Sequence, residues 1–291
     1  MGDGLRQDPS HILIGATADR YRNFPVYAIL LLLRWTGLAF CEVTTSLFRQ
    51  PRLCRSVTRG MHLGLHLPNL GNCGYDFSSR DRLETITSDL DAIRKYGSLF
   101  DIRYAVFHPP EADKSPDVFP TYVRSLKRVG LPLVLENIQG YSVDSFGAFY
   151  NTLRHELGDD LTGICLDIPH AVLSDHDWTE FFHAFQSEIR VIHLTDCRGE
   201  ADSHLPFGLG GDLDLEEILT FIQEEEYSGV LNFEMMPPGF NALDAYFGSI
   251  ILARERLDPS NLVKSRKRIG HVLQFGRILN LLKRDVPAHA D

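Results

Sequence analysis

The sequence predicts an α/β chain folded as a (β/α)8 TIM barrel with a basic helical extension at its C-terminus. Three observations predict it. Eight short apolar or β-branched runs alternate with stretches of helical periodicity, six of these runs end in a polar residue of metal-ligand type, and those residues recur near the repeat length of a βα unit.

The runs are HILIGAT, CEVTTSLF, HLGLHLP, YAVFHPP, PLVLENI, GICLDIP, VIHLTD and VLNFEMM. Strands of a parallel sheet are buried on both faces, so they read as near-continuous apolar segments rather than as alternation. The last six end at His66, His108, Glu136, Asp167, His193 and Glu234, with separations of 42, 28, 31, 26 and 41 residues. An eightfold barrel of ~250 residues uses roughly 30 per unit, so the two wide gaps leave room for longer loops. No G-x-G-x-x-G or P-loop follows the first run, where the chain reads IGATADRYRNFP, and this disfavours an open nucleotide-binding sheet.

The intervening segments carry helix signals. In GDLDLEEILTFIQEEEYSG, Asp214 is placed to cap and Glu217 follows three residues on. Leu215, Ile218, Leu219 and Ile222 make one stripe, and Gly229 follows the end. The run VYAILLLL from Val26 to Leu33 is eight residues, short of the roughly 18 that a spanning helix needs, and it lies too far in to read as a signal peptide. FPVYAILLLLRWTGLAF is therefore expected to be core. The GLGGDLD segment reads as a turn leading into the Asp214 cap. We expect a single domain over residues 1–291, with the barrel at 12–257 and the extension at 258–291.

Composition points the same way. The 291 residues are 44% apolar, enough for a large core, and the five cysteines (Cys41, Cys54, Cys73, Cys165 and Cys197) include no C-x-x-C pair, as expected of reduced thiols in a cytoplasmic protein. Net charge is −10, yet Asn261 to Arg284 carries Lys264, Arg266, Lys267, Arg268, Arg277, Lys283 and Arg284 with no acid. That segment is +7 and leaves −17 for the rest. With Ile269, Val272, Leu273, Ile278, Leu279 and Leu282 at helical spacing, it reads as a basic amphipathic helix, either packed on the body with a solvated face or offering that face to an anionic ligand or surface.

In a parallel barrel the residue closing each strand faces the C-terminal mouth, so His66, His108, Glu136, Asp167, His193 and Glu234 are expected to meet there. Unpaired carboxylates so crowded repel one another, and a divalent cation removes the conflict. Imidazole with carboxylate suits zinc, and also manganese or iron; the lack of thiolate argues for an open catalytic centre rather than a closed structural zinc. His170, three residues after Asp167, and Asp202 and His204, in the loop after His193, join the set by position. Nine ligands exceed what one ion takes and imply two or three. Asn137 is placed to orient Glu136 or a substrate group, and Arg198 to contact substrate, with a loop salt bridge as its alternative. Asp196 shares both of those alternatives with Arg198, whereas Cys197 lies beside the site without standing at a ligand position.

The ordered set HLP at His66, HPP at His108, LEN at Glu136, D-x-x-H at Asp167 and His170, HLTD at His193, D-S-H at Asp202 to His204 and FE at Glu234 resembles the xylose isomerase-like TIM barrels, a superfamily that includes endonuclease IV. The resemblance runs from about residue 12 to 257. The endonuclease IV branch implies three zinc ions: His66 and His108 on the first, Glu136 bridging to a second that also takes Asp167, His193 and Glu234, and His170, Asp202 and His204 on the third. Such a cluster activates water and clamps a phosphate, so it implies a phosphoester hydrolase. The DNA enzymes usually read H-A-P-Y where this chain has His66-Leu-Pro-Asn69, and an acidic body disfavours a nucleic-acid backbone, so a small-molecule substrate is expected and DNA is not. The pattern also resembles the cobamide-remodelling phosphodiesterases of the superfamily.

The isomerase and epimerase branch implies an alternative. There one manganese-like ion sits on the equivalents of Glu136, Asp167, His193 and Glu234, and the two glutamates exchange a proton with a sugar or sugar phosphate. Arg198 lies near where epimerases hold a substrate-binding arginine. The remaining five residues separate the two readings.

Overall fold

The computed structural model describes residues 12–19, 21, 24–199, 201–259 and 262–284, excluding the side chains of Ala201 and of residues 277–284. Among the described residues there are ten strands: β1 (Leu13–Ala18), β2 (Phe40–Thr44), β3 (His62–His66), β4 (Ile102–Phe107), β5 (Leu133–Glu136), β6 (Leu161–Asp167), β7 (Ile189–Leu194), β8 (Asp196–Arg198), β9 (Ala201–Leu205) and β10 (Val230–Phe233). Eight close into a barrel in the order β1-β10-β7-β6-β5-β4-β3-β2, with each neighbouring pair parallel. These eight are the apolar runs of the sequence. β8 and β9 pair only with each other, as an antiparallel hairpin between β7 and β10.

Side chains alternate across a strand, so one register faces the barrel axis throughout. Near the bottom that register is apolar, with Leu13, Phe40, Tyr104, Val106, Val134, Cys165, Val191 and Val230 packed into one cluster. Two residues further along the same strands the inward positions include Glu42, His108, Glu136, Asp167 and His193. Alternation thus carries an oily floor into a polar mouth along the same strands.

Phe40 and Tyr104 stack inside the floor, with centroids 5.9 Å apart and planes at 24°. Their bulk explains two strand glycines. A Cβ on Gly15 would lie 2.2 Å from Phe40 Cδ1, and one on Gly64 would lie 2.7 Å from the Tyr104 ring. Gly15→Ala should therefore lose about 1–3 kcal/mol of stability through overpacking, read as a lower urea midpoint at unchanged slope.

The helix Leu215–Glu224 has the expected cap, Asp214 accepting from the amides of Glu216 and Glu217, and buries Leu215, Ile218, Leu219 and Ile222 as expected. Its end differs from expectation. The helix stops well before Gly229, with the left-handed turn at Glu226 (φ 50°). Gly229 serves packing instead, since a Cβ there would meet the Tyr227 hydroxyl at 2.1 Å.

The helix Val26–Thr36 buries Val26, Leu30, Leu33 and Thr36 but leaves Leu31 and Trp35 exposed, so FPVYAILLLLRWTGLAF is only partly core. The C-terminal helix Leu262–Arg284 lies against it: Arg268 donates to the Trp35 carbonyl (2.9 Å), and Ile269 enters the core. Arg254, on the preceding helix Leu243–Leu257, donates to Ser265 Oγ at 2.6 Å. Lys264 and Lys267 are exposed, as a packed helix with a solvated basic face requires. Asn261 and the side chains of Arg277, Ile278, Leu279, Leu282, Lys283 and Arg284 lie outside the described residues. Among the described residues no helix is long and apolar enough to cross a membrane, and all five cysteines are free thiols.

Candidate metal centre

The nine residues expected at the mouth do converge. His66, Glu136 and Asp167 close β3, β5 and β6, His193 is the penultimate residue of β7, and His108 and Glu234 directly follow β4 and β10. His170 lies on the short helix Ile168–Val172, whose cap is Asp167 itself, its carboxylate accepting from the His170 amide at 2.7 Å. Asp202 and His204 lie on β9. His204 takes a left-handed backbone (φ 45°) and its Nε2 stands 3.2 Å from the Asp202 carboxylate, so the polar loop of the sequence is a hairpin that delivers two donors together.

Glu136 is the hub. Its Oε2 lies 3.1 Å from His66 Nε2, 3.3 Å from His108 Nε2 and 3.6 Å from His193 Nδ1, while its Oε1 lies 3.4 Å from His170 Nδ1. On one side, His193 Nδ1 stands 3.1 Å from Glu234. On the other, Asp202 is gripped between His170 Nε2 (3.3 Å) and His204 Nε2 (3.2 Å). Two sets, His66 with Glu136, His193 and Glu234, and Glu136 with Asp167 and His170, each gather their donor atoms within 4.8 Å of one another. They share Glu136.

Each histidine is held by its outer nitrogen. His66 Nδ1 donates to the Leu67 carbonyl (2.8 Å), His170 Nδ1 to that of Asn137 (2.9 Å) and His204 Nδ1 to that of Glu234 (3.1 Å). His108 Nδ1 rests on Glu111 (2.9 Å), and His193 Nε2 on Glu42 (3.1 Å). Fixing one ring nitrogen on an acceptor orients the other and sets its tautomer, as in imidazoles that bind metals.

The donor set fits a divalent cation. His108 Nε2, His193 Nδ1 and Asp202 Oδ1 are buried without a hydrogen bond, an arrangement that is costly unless something else meets them. Protonation shows the same tension. Burial pushes Asp167 up to about 7, helped by the charges of Glu136 and Asp202 and opposed by His170. Burial would also raise Glu136 and Glu234, but His108 and His193 hold Glu136 well below the usual range, and His193 brings Glu234 to about 2. Burial disfavours the imidazolium of His108 and of His204, yet Glu136 and Glu111 on the one and Asp202 on the other raise both to about 9. Protonated histidines thus balance the carboxylates where a cation would do so.

Of the other expected residues, Asn137 braces the site rather than facing it. Its side chain donates to the Asp167 carbonyl (2.8 Å) and accepts from the Asp167 amide (2.7 Å), locking the β5 and β6 ends together. Arg198 donates to the carbonyls of Gly210 (2.8 Å) and Leu209 (2.5 Å), so it ties the hairpin to the GLGG turn, and among the described residues it makes no salt bridge. Asp196 accepts from the Leu213 amide in the same turn, and burial pushes the Cys197 thiol up to about 11, unlike a thiolate ligand.

Sequence reasoning missed Glu42. It is fully buried on β2, contacts His193, and accepts from the Tyr104 hydroxyl (3.1 Å), linking the aromatic floor to the centre. Its signal was a lone acid inside the apolar run CEVTT.

Two adjoining spaces lie at the mouth. A polar cleft of about 390 Å³ is lined by His66, His108, Glu136, His170, Asp202 and the exposed Lys114. A second cavity of about 520 Å³ shares His66, Asn72, His204 and Glu234 with it and extends toward the helices Val26–Thr36 and Leu262–Arg284.

Solved structures share this architecture. The chain is similar to a D-tagatose 3-epimerase-like protein (18% identity, 86% of this chain and 98% of that one, TM-score 0.60). It is also similar to D-psicose 3-epimerase from Clostridium cellulolyticum (15%, 92% and 99%, TM-score 0.57) and to an AP endonuclease of family 2 from Brucella melitensis (12%, 79% and 94%, TM-score 0.55). At these identities the likeness is one of fold. No curated protein matches the chain. Residues 55–249 match the family described as xylose isomerase-like TIM barrel, and with its closed barrel the chain belongs to that family.

Proposed function

We propose that this protein is a metal-dependent hydrolase of a phosphoester in a small molecule. One observation carries the reading: the five residues that a single-ion isomerase does not need, His66, His108, His170, Asp202 and His204, all turn a donor atom into the same mouth. Two or three divalent ions, zinc by the donor chemistry, would supply Lewis acidity and charge for both the attacking and leaving oxygens of an in-line displacement. His66, His108 and Glu136 would hold the first, Glu136, Asp167, His193 and Glu234 the second, and His170, Asp202 and His204 the third. Lys114 at the rim suits an anionic group, and Asn137 keeps Asp167 and His170 in place.

A second reading, a sugar or sugar-phosphate epimerase or isomerase with one manganese and Glu136 and Glu234 as the acid–base pair, is favoured by the names of the solved relatives, several of which are sugar 3-epimerases. Both glutamates approach His193 Nδ1, at 3.6 and 3.1 Å, as that reading requires.

Elemental analysis of the purified protein, paired with turnover assays, separates them. Two or three zinc per chain and cleavage of bis(p-nitrophenyl) phosphate are expected. Asp202→Ala should lose one ion and at least about 10²-fold in kcat. One manganese per chain with interconversion of ketohexoses, unaffected by Asp202→Ala, would establish the second reading instead.

A further inference from the structure

The second cavity is too apolar for a sugar. Its walls come from three distant segments: Ile29 and Leu32 of the helix Val26–Thr36, Met235 and Phe247 beyond β10, and Val272 and Phe275 of the C-terminal helix. A sugar presents a hydroxyl on nearly every carbon, and each would need a partner that such walls do not offer. Yet the cavity adjoins the metal cleft, for His66, His204 and Glu234 line both. Whatever reaches the centre through it has an apolar part beside its reacting group.

The dimensions favour one occupant. Concave, mostly apolar sites of roughly 300–1,000 Å³ with a few convergent polar groups suit a single small-molecule moiety, and 520 Å³ lies within that range. Polar groups line it on the barrel side, where Thr44 pairs in register with His66 and Thr17 with Glu42. The gradient from polar to apolar runs away from the metal ligands, so an occupant lies with its anion at the centre and its hydrocarbon outward, against the C-terminal helix. That helix is thereby part of the site, and its exposed Phe275 forms the outer rim.

We infer that this cavity is the subsite for an aromatic or branched apolar group of the substrate, attached to the phosphate that the metal cleft receives. The phosphate half rests on the hydrolase reading; the apolar half rests on the cavity alone. The chemistry taken is that of an amphipathic phosphoester, neither a free sugar phosphate nor a nucleic-acid backbone.

Titration calorimetry on the full-length, zinc-supplemented protein tests the two halves separately, with methyl phosphate and 1-naphthyl phosphate as probes. The naphthyl ester should bind at least about tenfold more tightly, because its ring is buried. Val272→Asp should abolish that preference and leave methyl phosphate unchanged. Should Val272→Asp fail to fold, Phe275→Glu, at a position 61% exposed, should reduce the preference severalfold without touching the core. Equal affinities for the two probes, no binding of either, or a preference that survives both substitutions would overturn the inference. Tighter naphthyl binding without cleavage of any phosphodiester would uphold the subsite and sink the hydrolase reading, so the two failures are distinct.

Discussion

Replacing Glu136 by Gln is expected to cost about 10³-fold or more in kcat and to lower the metal content by more than one ion per chain. The physical reason is its position. Its carboxylate reaches His66, His108, His170 and His193 at once, and the two candidate ligand sets share it. An amide offers one neutral oxygen where two anionic ones stood, so neither set keeps its charge balance. Ligands and general acid–base groups are each worth about 10²–10⁴-fold, and a residue serving two ions belongs at the upper end. Gln keeps the volume of the side chain, so the packing of the barrel should survive even though the attraction to His108 and His193 is lost. Elemental analysis beside steady-state kinetics checks both halves. A variant with full metal content and undiminished turnover would show that Glu136 bridges nothing.

Replacing Glu42 by Ala is expected to weaken metal binding by about 10–100-fold and to destabilise the protein by about 2–4 kcal/mol. Glu42 touches no other expected ligand than His193, so its effect on metal runs through that ring: without an acceptor for Nε2, neither tautomer nor orientation of His193 is fixed. The loss of stability has a different source. Removing the carboxylate leaves both the His193 ring and the Tyr104 hydroxyl buried without their partner, and such orphaned groups cost about 1–3 kcal/mol each. Glu42→Gln, which keeps an acceptor, should recover most of both. Metal titration followed by competition with a chelator reads the first effect, and urea unfolding the second. Equal losses in the Ala and Gln variants would show that charge, rather than the hydrogen bond, holds His193.

What could be read from the chain followed from physical regularities. Parallel strands buried on both faces appear as apolar runs, which marked all eight barrel strands, and the mouth of such a barrel collects the residues at their ends, which marked His66, His108, Glu136, Asp167, His193 and Glu234. Glu42 escaped because it lies in the interior of a run rather than at its close. The hairpin escaped because β8 has three residues and β9 five, too few for alternation to stand out from a polar loop. Arg198 looked like a ligand contact because its charge was legible and its partners, the carbonyls of Leu209 and Gly210, were not. The apolar cavity was the least legible feature. It is assembled from residues near 30, 240 and 272, each of which alone reads as core.

The hairpin also bears on how such a site changes over generations. β7 hydrogen-bonds directly to β10, so β8 and β9 hang outside the closed ring and contribute nothing to its closure. Deleting them would leave the barrel paired as before and leave Glu136, Asp167, His193 and Glu234 on their own elements, while removing Asp202 and His204 together. A single excision in one connection would thus turn a nine-donor mouth into a seven-donor one, without the pair that grips His170 from outside the barrel. Two of the nine donors thus sit on an appendage that can vary without disturbing the barrel that carries the other seven.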